Sequence, residues 1–509
     1  MSGRHATQRA RARGVGRRLP AELAIYRADN ARHRLPRLFG RSDLVMLGLG
    51  VMIGAGIFKL AGVQAASSAG PAVILSFLVA AGVCTLAALS YAELSSAMPV
   101  AGSAYTFSYV IFGEVWAWLV GWALVLELLL AASVVARAGS EYFVALLGGA
   151  DWLAPYSSFD STFNVVALVL IVGLTAMIVT GTKLSARLIR VVVVAKVAVI
   201  LFIVVLGAFF VNFGNYTPFI PEPQPLPTPA ESAPTIFERL TGRVGSRFGL
   251  FGIFAAAGVI VFSYIGFDLI ATSAEDAREP RRAVPSAILR SIGIVTGLYV
   301  AMALIMVGMQ PYTQLGTAAP ISSAFAAAGL GWAAGFVNLG ALLAMMTVVM
   351  VVLVAQSRVL FAMGRDGLLP TQLSRISRTF SSPARAAVAG GAATVGVSLY
   401  PDVVALGETL VLGALFAFLF CSVGVLVARS TQPDLERGFR VPGVPLVPLL
   451  AIAAIVWLML NLHVTTWRNF GIWMVAGLLV YLLYGRRHSR LGQGAEVEGS
   501  ASGGDFSSP

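Results

Sequence analysis

The sequence predicts an all-α integral membrane protein whose helices cross the bilayer twelve times. Three observations carry this reading. The chain of 509 residues is 57% hydrophobic and only 12% charged, with a mean hydropathy of +0.82, whereas soluble globular chains carry roughly 25% charged residues. So little charge does not cover the surface of a soluble fold of this length, which excludes an ordinary cytosolic enzyme and a disordered chain alike. The apolar runs are long and continuous, as helices of about 20 residues require, and not the alternating segments of about 10 residues that a transmembrane barrel shows. Finally, Lys and Arg are divided very unevenly between alternate connections.

The elements follow in order. Residues 1–43 form a basic tail with eleven arginines against Glu22, Asp29 and Asp43, supplying +8 of the net +12. Such a tail beside a membrane helix sets topology or touches anionic lipid; no nucleic acid is implied. Apolar segments then fall at about 44–69, 71–97, 113–147, 163–182, 190–212, 248–274, 286–309, 332–362, 384–400, 403–428, 445–463 and 468–485. The first is too long and too far along the chain for the h-region of a signal peptide. The third exceeds the hydrocarbon thickness and is expected to tilt or protrude. With the N-terminus placed inside, 29 of the 36 Lys and Arg residues are cytoplasmic, 4 are external, and Lys59, Arg137 and Lys196 lie within apolar segments. The positive-inside rule therefore puts both termini in the cytoplasm, and the expected location is the plasma membrane. The external stretch 214–247 carries seven prolines before Thr235, among them Pro221, Pro223, Pro225, Pro227 and Pro229. It reads as an extended, non-helical linker, and its midpoint separates two halves of five helices. The transmembrane domain runs over 44–485, and 486–509 is a cytoplasmic tail whose Gly- and Ser-rich part reads as disordered. Cys84 and Cys421 lie inside apolar runs, and His5, His33, His463 and His488 are scattered, so neither a disulfide framework nor a metal site is expected. No cofactor is implied.

Small-residue breaks inside apolar runs are the first functional signal. The first segment contains Gly48, Gly50, Gly54 and Gly56, and the sixth contains Phe262-Ser263-Tyr264-Ile265-Gly266-Phe267-Asp268. Each glycine weakens a helix by up to about 1 kcal/mol relative to alanine. Interrupted segments at corresponding positions in two halves point to a transporter's binding site. Freed N–H groups hold a carboxylate and freed carbonyls hold an ammonium, a combination that suits a zwitterionic amino acid. The competing reading is that the glycines only permit close helix packing.

Ionisable residues within apolar runs are the second signal. Lys196 lies deep in VVVVAKVAVILFIVV and Glu127 in GWALVLELLLAASVVAR, and a charge at membrane depth marks a functional site by default. Lys196 is read as a group that gains and loses a proton during a cycle. Glu127 is read as facing a cavity and a cationic substrate, with a structural pair to Arg137 as the alternative. Lys59 is expected to snorkel to external water. Asp268 is read as either a gating group or a helix cap. Two charged cytoplasmic stretches, Glu275–Pro280 and Arg365–Pro370, are read as a latch on an inside gate or as solvated turns.

At these residues the sequence resembles the amino acid–polyamine–organocation superfamily, and within it the cationic amino acid transporter family in its bacterial twelve-helix form. The resemblance covers roughly residues 35–485. It rests on IGAGIF at Ile53–Phe58, the stretch Tyr91–Tyr109, YIGFD at Tyr264–Asp268 with the EDAREPRRAVP that follows, and MGRDGLLP at Met363–Pro370; Gly121–Ala138 favours the cationic branch. The resemblance implies a five-plus-five inverted repeat with two further helices, alternating access, and a site between the first, third, sixth and eighth segments. It implies that the backbone of Gly54, Ala55 and Gly56 binds the substrate carboxylate and that the carbonyls of Ile53, Phe262, Ser263 and Ile265 bind the α-amine. It implies that Glu127 approaches a basic side chain, and that the Lys196 ammonium stands where sodium-driven relatives hold sodium. In the eighth segment Met345, Met346, Thr347 and Met350 fall where the side-chain pocket is expected, with Thr347 and Met350 as lining residues. Bulky methionines there narrow the pocket and favour small neutral amino acids.

The expected function is secondary, proton-coupled symport of cationic or small neutral L-amino acids. The substrate, the proton and membrane lipid are the expected partners. A sodium-driven or exchange-type carrier of an amine, polyamine or nucleobase is the alternative. A membrane enzyme would need a nucleophile–base pair or metal ligands at membrane depth, and the sequence shows no such cluster.

Overall fold

A computed structural model of the chain describes residues 17–29, 39–100, 102–148, 152–159, 161, 163–180, 186–225, 234–242, 246–377, 382–399 and 403–493. Of the tails, residues 1–16, 30–38 and 494–509 lie outside them. The described residues are overwhelmingly helical. Eight helical stretches are long and apolar enough to cross a membrane, and three more apolar helices are shorter.

In chain order the helices are α1 (Ala21–Asp29), α2 (Arg41–Met52), α3 (Ala61–Gln64), α4 (Val73–Ala97), α5 (Ala104–Ile111), α6 (Glu114–Leu146) and α7 (Val165–Val179). The chain continues through α8 (Ala186–Ala208), α9 (Ile236–Thr241), α10 (Gly249–Ile260), α11 (Phe267–Thr272), α12 (Pro280–Met309) and α13 (Pro320–Ala327). It ends with α14 (Gly331–Arg365), α15 (Ala384–Val397), α16 (Val403–Thr431), α17 (Leu446–Leu460), α18 (Val464–Val480), α19 (Arg486–His488) and α20 (Arg490–Gln493).

Local chemistry sets the ends. The first helix of the apolar body, α2, ends at Met52 and resumes in π-helical turns at Gly56–Leu60 and Ala65–Ala69 that flank α3. A 3-10 turn at Gly70–Ala72, with Gly70 at φ +62°, separates that stretch from α4. Gly113 at φ +107° turns the chain into α6. Asn164 caps α7 by accepting from the Ala167 N–H at 2.9 Å, a bond that satisfies one orphan donor of the first turn.

α6 and α14 pack against each other along their lengths and form the centre of the bundle, with α16 on the other side of α6. α2 is held between α8 and α12, and α4 lies along α12. The 33 residues of α6 extend about 50 Å, beyond a hydrocarbon layer of about 30 Å.

Two expectations about the connections change. The proline-rich stretch 214–247 is not wholly extended. It contains α9, started by a capping box in which Thr235 and Glu238 exchange side-chain-to-backbone bonds, and a two-residue antiparallel ladder of Gln224–Pro225 with Ser246–Arg247. α9 begins after Pro234, the last proline of the stretch, and Pro227 and Pro229 lie outside the described residues. The tails also contribute to the body. Glu114, fully buried at the start of α6, accepts from the hydroxyls of Tyr109 at 3.1 Å, Tyr481 at 2.9 Å and Ser489 at 2.5 Å, while its N–H donates to the Arg17 carbonyl at 2.8 Å. A buried carboxylate needs such partners, and it recruits them from both ends of the chain.

Candidate functional site: a cavity between two broken helices

The two glycine-marked breaks face each other. After α2, Ile53 is extended at φ −74°, ψ 96°, and helix resumes at Gly56. After α10, a 3-10 turn runs over Val261–Tyr264, Ile265 is extended, and Gly266 stands at φ +126° before α11. The glycines are required by proximity. A Cβ on Gly56 would stand 2.6 Å from the Ser263 Cα, and one on Gly266 would stand 2.5 Å from Val51 Cγ1. Close packing and site formation are therefore one feature: the glycines bring two frayed backbones together in the interior.

Between the breaks lies a cavity of about 30 Å³, room for about two water molecules. Gly54, Ala55 and Gly56 border it from the first helix, and Phe262, Ser263 and Ile265 from the sixth apolar segment. The leading N–H groups of a resumed helix lack intrahelical acceptors, which makes that border able to take an anionic group. The opposite wall is α6, with Glu127, Leu128, Ala131 and Val135. α14 supplies Val348 and Val352.

Glu127 is fully buried, and neither of its carboxylate oxygens has a hydrogen-bond partner among the described residues. The alternative pairing with Arg137 does not occur: Arg137 donates to the Phe159 carbonyl at 2.9 Å and to that of Ser398. Lys196, on α8, reaches the first break from outside the cavity and donates to the carbonyls of Gly50 at 2.6 Å and Ile53 at 3.2 Å. Ile53 thus meets Lys196 and does not border the cavity.

α14 departs from expectation. Thr347 and Met350 do not border the cavity; Val348 and Val352 do. The Thr347 hydroxyl donates to the Leu343 carbonyl one turn back at 2.6 Å. Rotation of α14 against α6 decides this, and the choice among adjacent apolar residues left no mark in composition. Lys59 also departs: it does not snorkel but is buried and paired with Glu141. Asp268 lies in the first turn of α11; its Oδ1 accepts from the Gly266 N–H at 3.0 Å, and its Oδ2 is buried without a hydrogen-bond partner among the described residues. Asp366 accepts from the Tyr105 hydroxyl at 2.6 Å, and Arg358 of α14 donates to Ser273 after α11 at 3.0 Å.

Sequence reasoning passed over Tyr299, Ala131, Val135, Val348, Val352 and Glu141. Some signals were available. Ala131 and Val135 follow Glu127 at helical spacing, i+4 and i+8, and a tyrosine in an apolar run needs a partner for its hydroxyl.

A bundle of apolar helices with two backbone breaks around a buried cavity is an architecture suited to a multi-pass membrane transporter. The amino acid permease family model matches residues 39–484, and the chain belongs to that family. It is 37% identical over 479 residues to the branched-chain amino acid permease BcaP of Bacillus subtilis (strain 168), covering 92% of this chain and 97% of that one. It is 36% identical over 476 residues to the methylthioribose transporter of the same organism, covering 92% and 98%. It is 36% identical over 408 residues to the vacuolar cationic amino acid transporter 2 of Arabidopsis thaliana, covering 79% of this chain and 61% of that longer one.

Proposed function

We propose that the protein is a proton-coupled symporter of small neutral L-amino acids with apolar side chains, working by alternating access in the plasma membrane. In this reading twelve helices cross the bilayer, the first ten form a five-plus-five inverted repeat, and both termini are cytoplasmic. The observation that carries the substrate class is the cavity wall. Leu128, Ala131, Val135, Val348 and Val352 offer an apolar surface, which suits an apolar side chain, as the name of the branched-chain permease would have it. The substrate carboxylate sits at the backbone of Gly54, Ala55 and Gly56. Its ammonium sits at the carbonyls of the two breaks, Ile53, Phe262, Ser263 and Ile265, of which Ile53 lies behind the cavity border. Three of these already accept a bond, from Lys196, the Ile265 N–H and Tyr299 respectively, and a carbonyl oxygen has a second lone pair to offer. Lys196, bonded to the first break, is the coupling group. Its ammonium also argues against the sodium-driven alternative, since it holds the carbonyls that a sodium ion would need.

A second reading is favoured by Glu127. A cavity carboxylate without a partner suits a substrate with a cationic side chain, as the name of the plant relative has it. Competition against one labelled ligand by valine and by arginine, in the parent and in Glu127→Gln, separates the two. The neutral reading expects valine to compete in both proteins and arginine in neither. Arginine competition that weakens by on the order of 2–5 kcal/mol in Glu127→Gln would establish the cationic reading.

A further inference from the structure

α8 carries a stripe of exposed apolar side chains, Val191, Val194, Leu201 and Val205, that runs on to Phe209 just past its end; the spacing is that of one helix face. From Val191 to Phe209 the stripe rises about 27 Å, close to a hydrocarbon layer of about 30 Å. Phe209 therefore stands at the hydrocarbon boundary. The apolar surface does not stop there. Phe213 is 82% exposed, Phe219 and Ile220 are exposed as well, and no charged residue occurs between Lys196 and Glu222. The segment is also bonded back to the bundle. The Asn212 N–H and the Asn215 side-chain amide both donate to the Gly308 carbonyl, at 2.9 and 2.7 Å, and the Tyr216 hydroxyl donates to the Leu304 carbonyl at 2.8 Å. A Cβ on Gly308 would collide with the Tyr216 hydroxyl, so the glycine makes room for this tie. Leu304 and Gly308 lie in the last two turns of α12. The 3-10 turn Phe213–Tyr216 is thereby held at the level of that helix end and does not climb away from it.

Large apolar side chains fixed in exposed positions are costly to leave in water, and aromatic rings collect where a bilayer meets water. A neighbouring element shows the same preference. Trp332, in the first turn of α14, is 65% exposed and packs against Phe202 in the last two turns of α8, with ring centroids 6.0 Å apart. We propose that Phe209, Phe213, Phe219 and Ile220 form an aromatic foot that lies in the headgroup region of the bilayer. The foot fixes the ends of α8 and α12 at the lipid surface, and the connection after α8 starts as a membrane-seated segment and not as a solvated linker. Its occupant is phospholipid, because the foot continues the lipid-facing stripe of α8 without a break. A second copy of the chain is the competing occupant, and it would have to interrupt that lipid contact at the boundary.

The test uses the full-length chain in nanodiscs of phosphatidylethanolamine and phosphatidylglycerol. Cys84→Ala and Cys421→Ala remove the native thiols, and Phe213→Cys or Phe219→Cys carries a nitroxide. Collision with oxygen, which concentrates in lipid, and with a nickel chelate, which stays in water, reports the depth of each label. Leu201→Cys on the α8 stripe is the hydrocarbon reference. Asp434→Cys, exposed in the connection between α16 and α17, is the aqueous one. The labels at 213 and 219 are expected within about 10 Å of the phosphate level, shallower than the label at 201 and shifted toward oxygen relative to the label at 434. Nickel collision at both positions equal to that at 434 would place the segment in water and overturn the proposal. Shielding from both reagents would assign the surface to protein, with dipolar broadening between labels marking a second copy, and would overturn it equally. Phe213 and Phe219 are both exposed, so neither substitution disturbs the core, and Phe209→Cys supplies a third position should either variant fail to assemble.

Discussion

The Tyr299 hydroxyl of α12 lies 2.5 Å from the Met52 carbonyl and 2.9 Å from the Ser263 carbonyl. One side chain thus holds the break in the first helix and the break in the sixth apolar segment in register. Tyr299 is fully buried and its ring packs edge-on against Phe77 and Tyr264, so the hydroxyl has little freedom to look elsewhere.

Tyr299→Phe keeps the ring and removes that tie. The single O–H shared between two buried carbonyls is lost, at a cost of about 1–3 kcal/mol. The variant is expected to melt earlier in detergent and to transport more slowly, the two breaks no longer moving as a unit. Wild-type uptake and melting would show that the hydroxyl does not couple them.

The glycines of the first break give a graded prediction. On Gly56 a Cβ meets the Ser263 backbone, and on Gly54 it meets only Val348 Cγ2, at 2.9 Å. Gly56→Val is expected to eliminate ligand binding, since a backbone atom does not yield. Gly54→Ala is expected to weaken binding by about 1–3 kcal/mol, the range for overpacking. Val348→Ala in the same chain should recover part of that loss, because it removes the atom in conflict. Ligand-induced thermal shift measures all three, and failure of the double variant to improve on Gly54→Ala would remove Val348 as the cause.

Lys196 donates to Gly50 and Ile53 immediately before the first break, so its charge bears on the geometry of the site without contacting the cavity. Lys196→Ala is expected to abolish accumulation driven by a pH gradient in proteoliposomes while leaving exchange of labelled substrate. Normal gradient-driven accumulation by the variant would end the coupling assignment.

His463, at the turn before α18, faces Glu408 of α16 at 2.7 Å, and Glu408 also accepts from Thr466 at 2.6 Å. The hydrogen bond to Glu408 raises the imidazole pKa above its ordinary value, and Glu238 of α9 adds to this. The same turn holds the loop around α9 through the Ile236 N–H to the Leu462 carbonyl and the Val464 N–H to the Pro234 carbonyl. A raised folded-state pKa means that protonated His463 stabilises the fold. That contribution is fully present below the unfolded value of about 6.5 and is lost as pH rises through the folded one. Compared with His463→Gln, the wild type should show its largest melting advantage below about pH 6.5 and a shrinking one as the pH rises above it. An advantage constant across that range would place the effect in packing.

Much of this architecture was legible in the sequence because a bilayer leaves few choices. A span must be apolar over its whole length and must satisfy its own backbone bonds, so composition and run length are enough to find helices. The breaks were legible for a related reason. Glycines at 54, 56 and 266 and the small residue Ser263 are out of place in stable apolar helices, and their cost points to a use. The burial of Glu127 and Lys196 follows likewise from a charge in an apolar run.

Tertiary structure alone decided which neighbours those residues meet. Rotation of α14 brings Val348 and Val352 to the cavity and turns Thr347 and Met350 away; no periodic pattern distinguishes them, because α14 is apolar on nearly every side. Lys59 reads as a snorkelling side chain until the fold sets Glu141, 82 residues later, beside it. The pairing of Tyr299 with two carbonyls from separate breaks and the gathering of both chain ends on Glu114 are likewise contacts between distant segments. The sequence by itself determined which groups must be satisfied in the interior. The partners that satisfy them depend on how helices of nearly uniform hydrophobicity rotate and dock, and that is settled by shape.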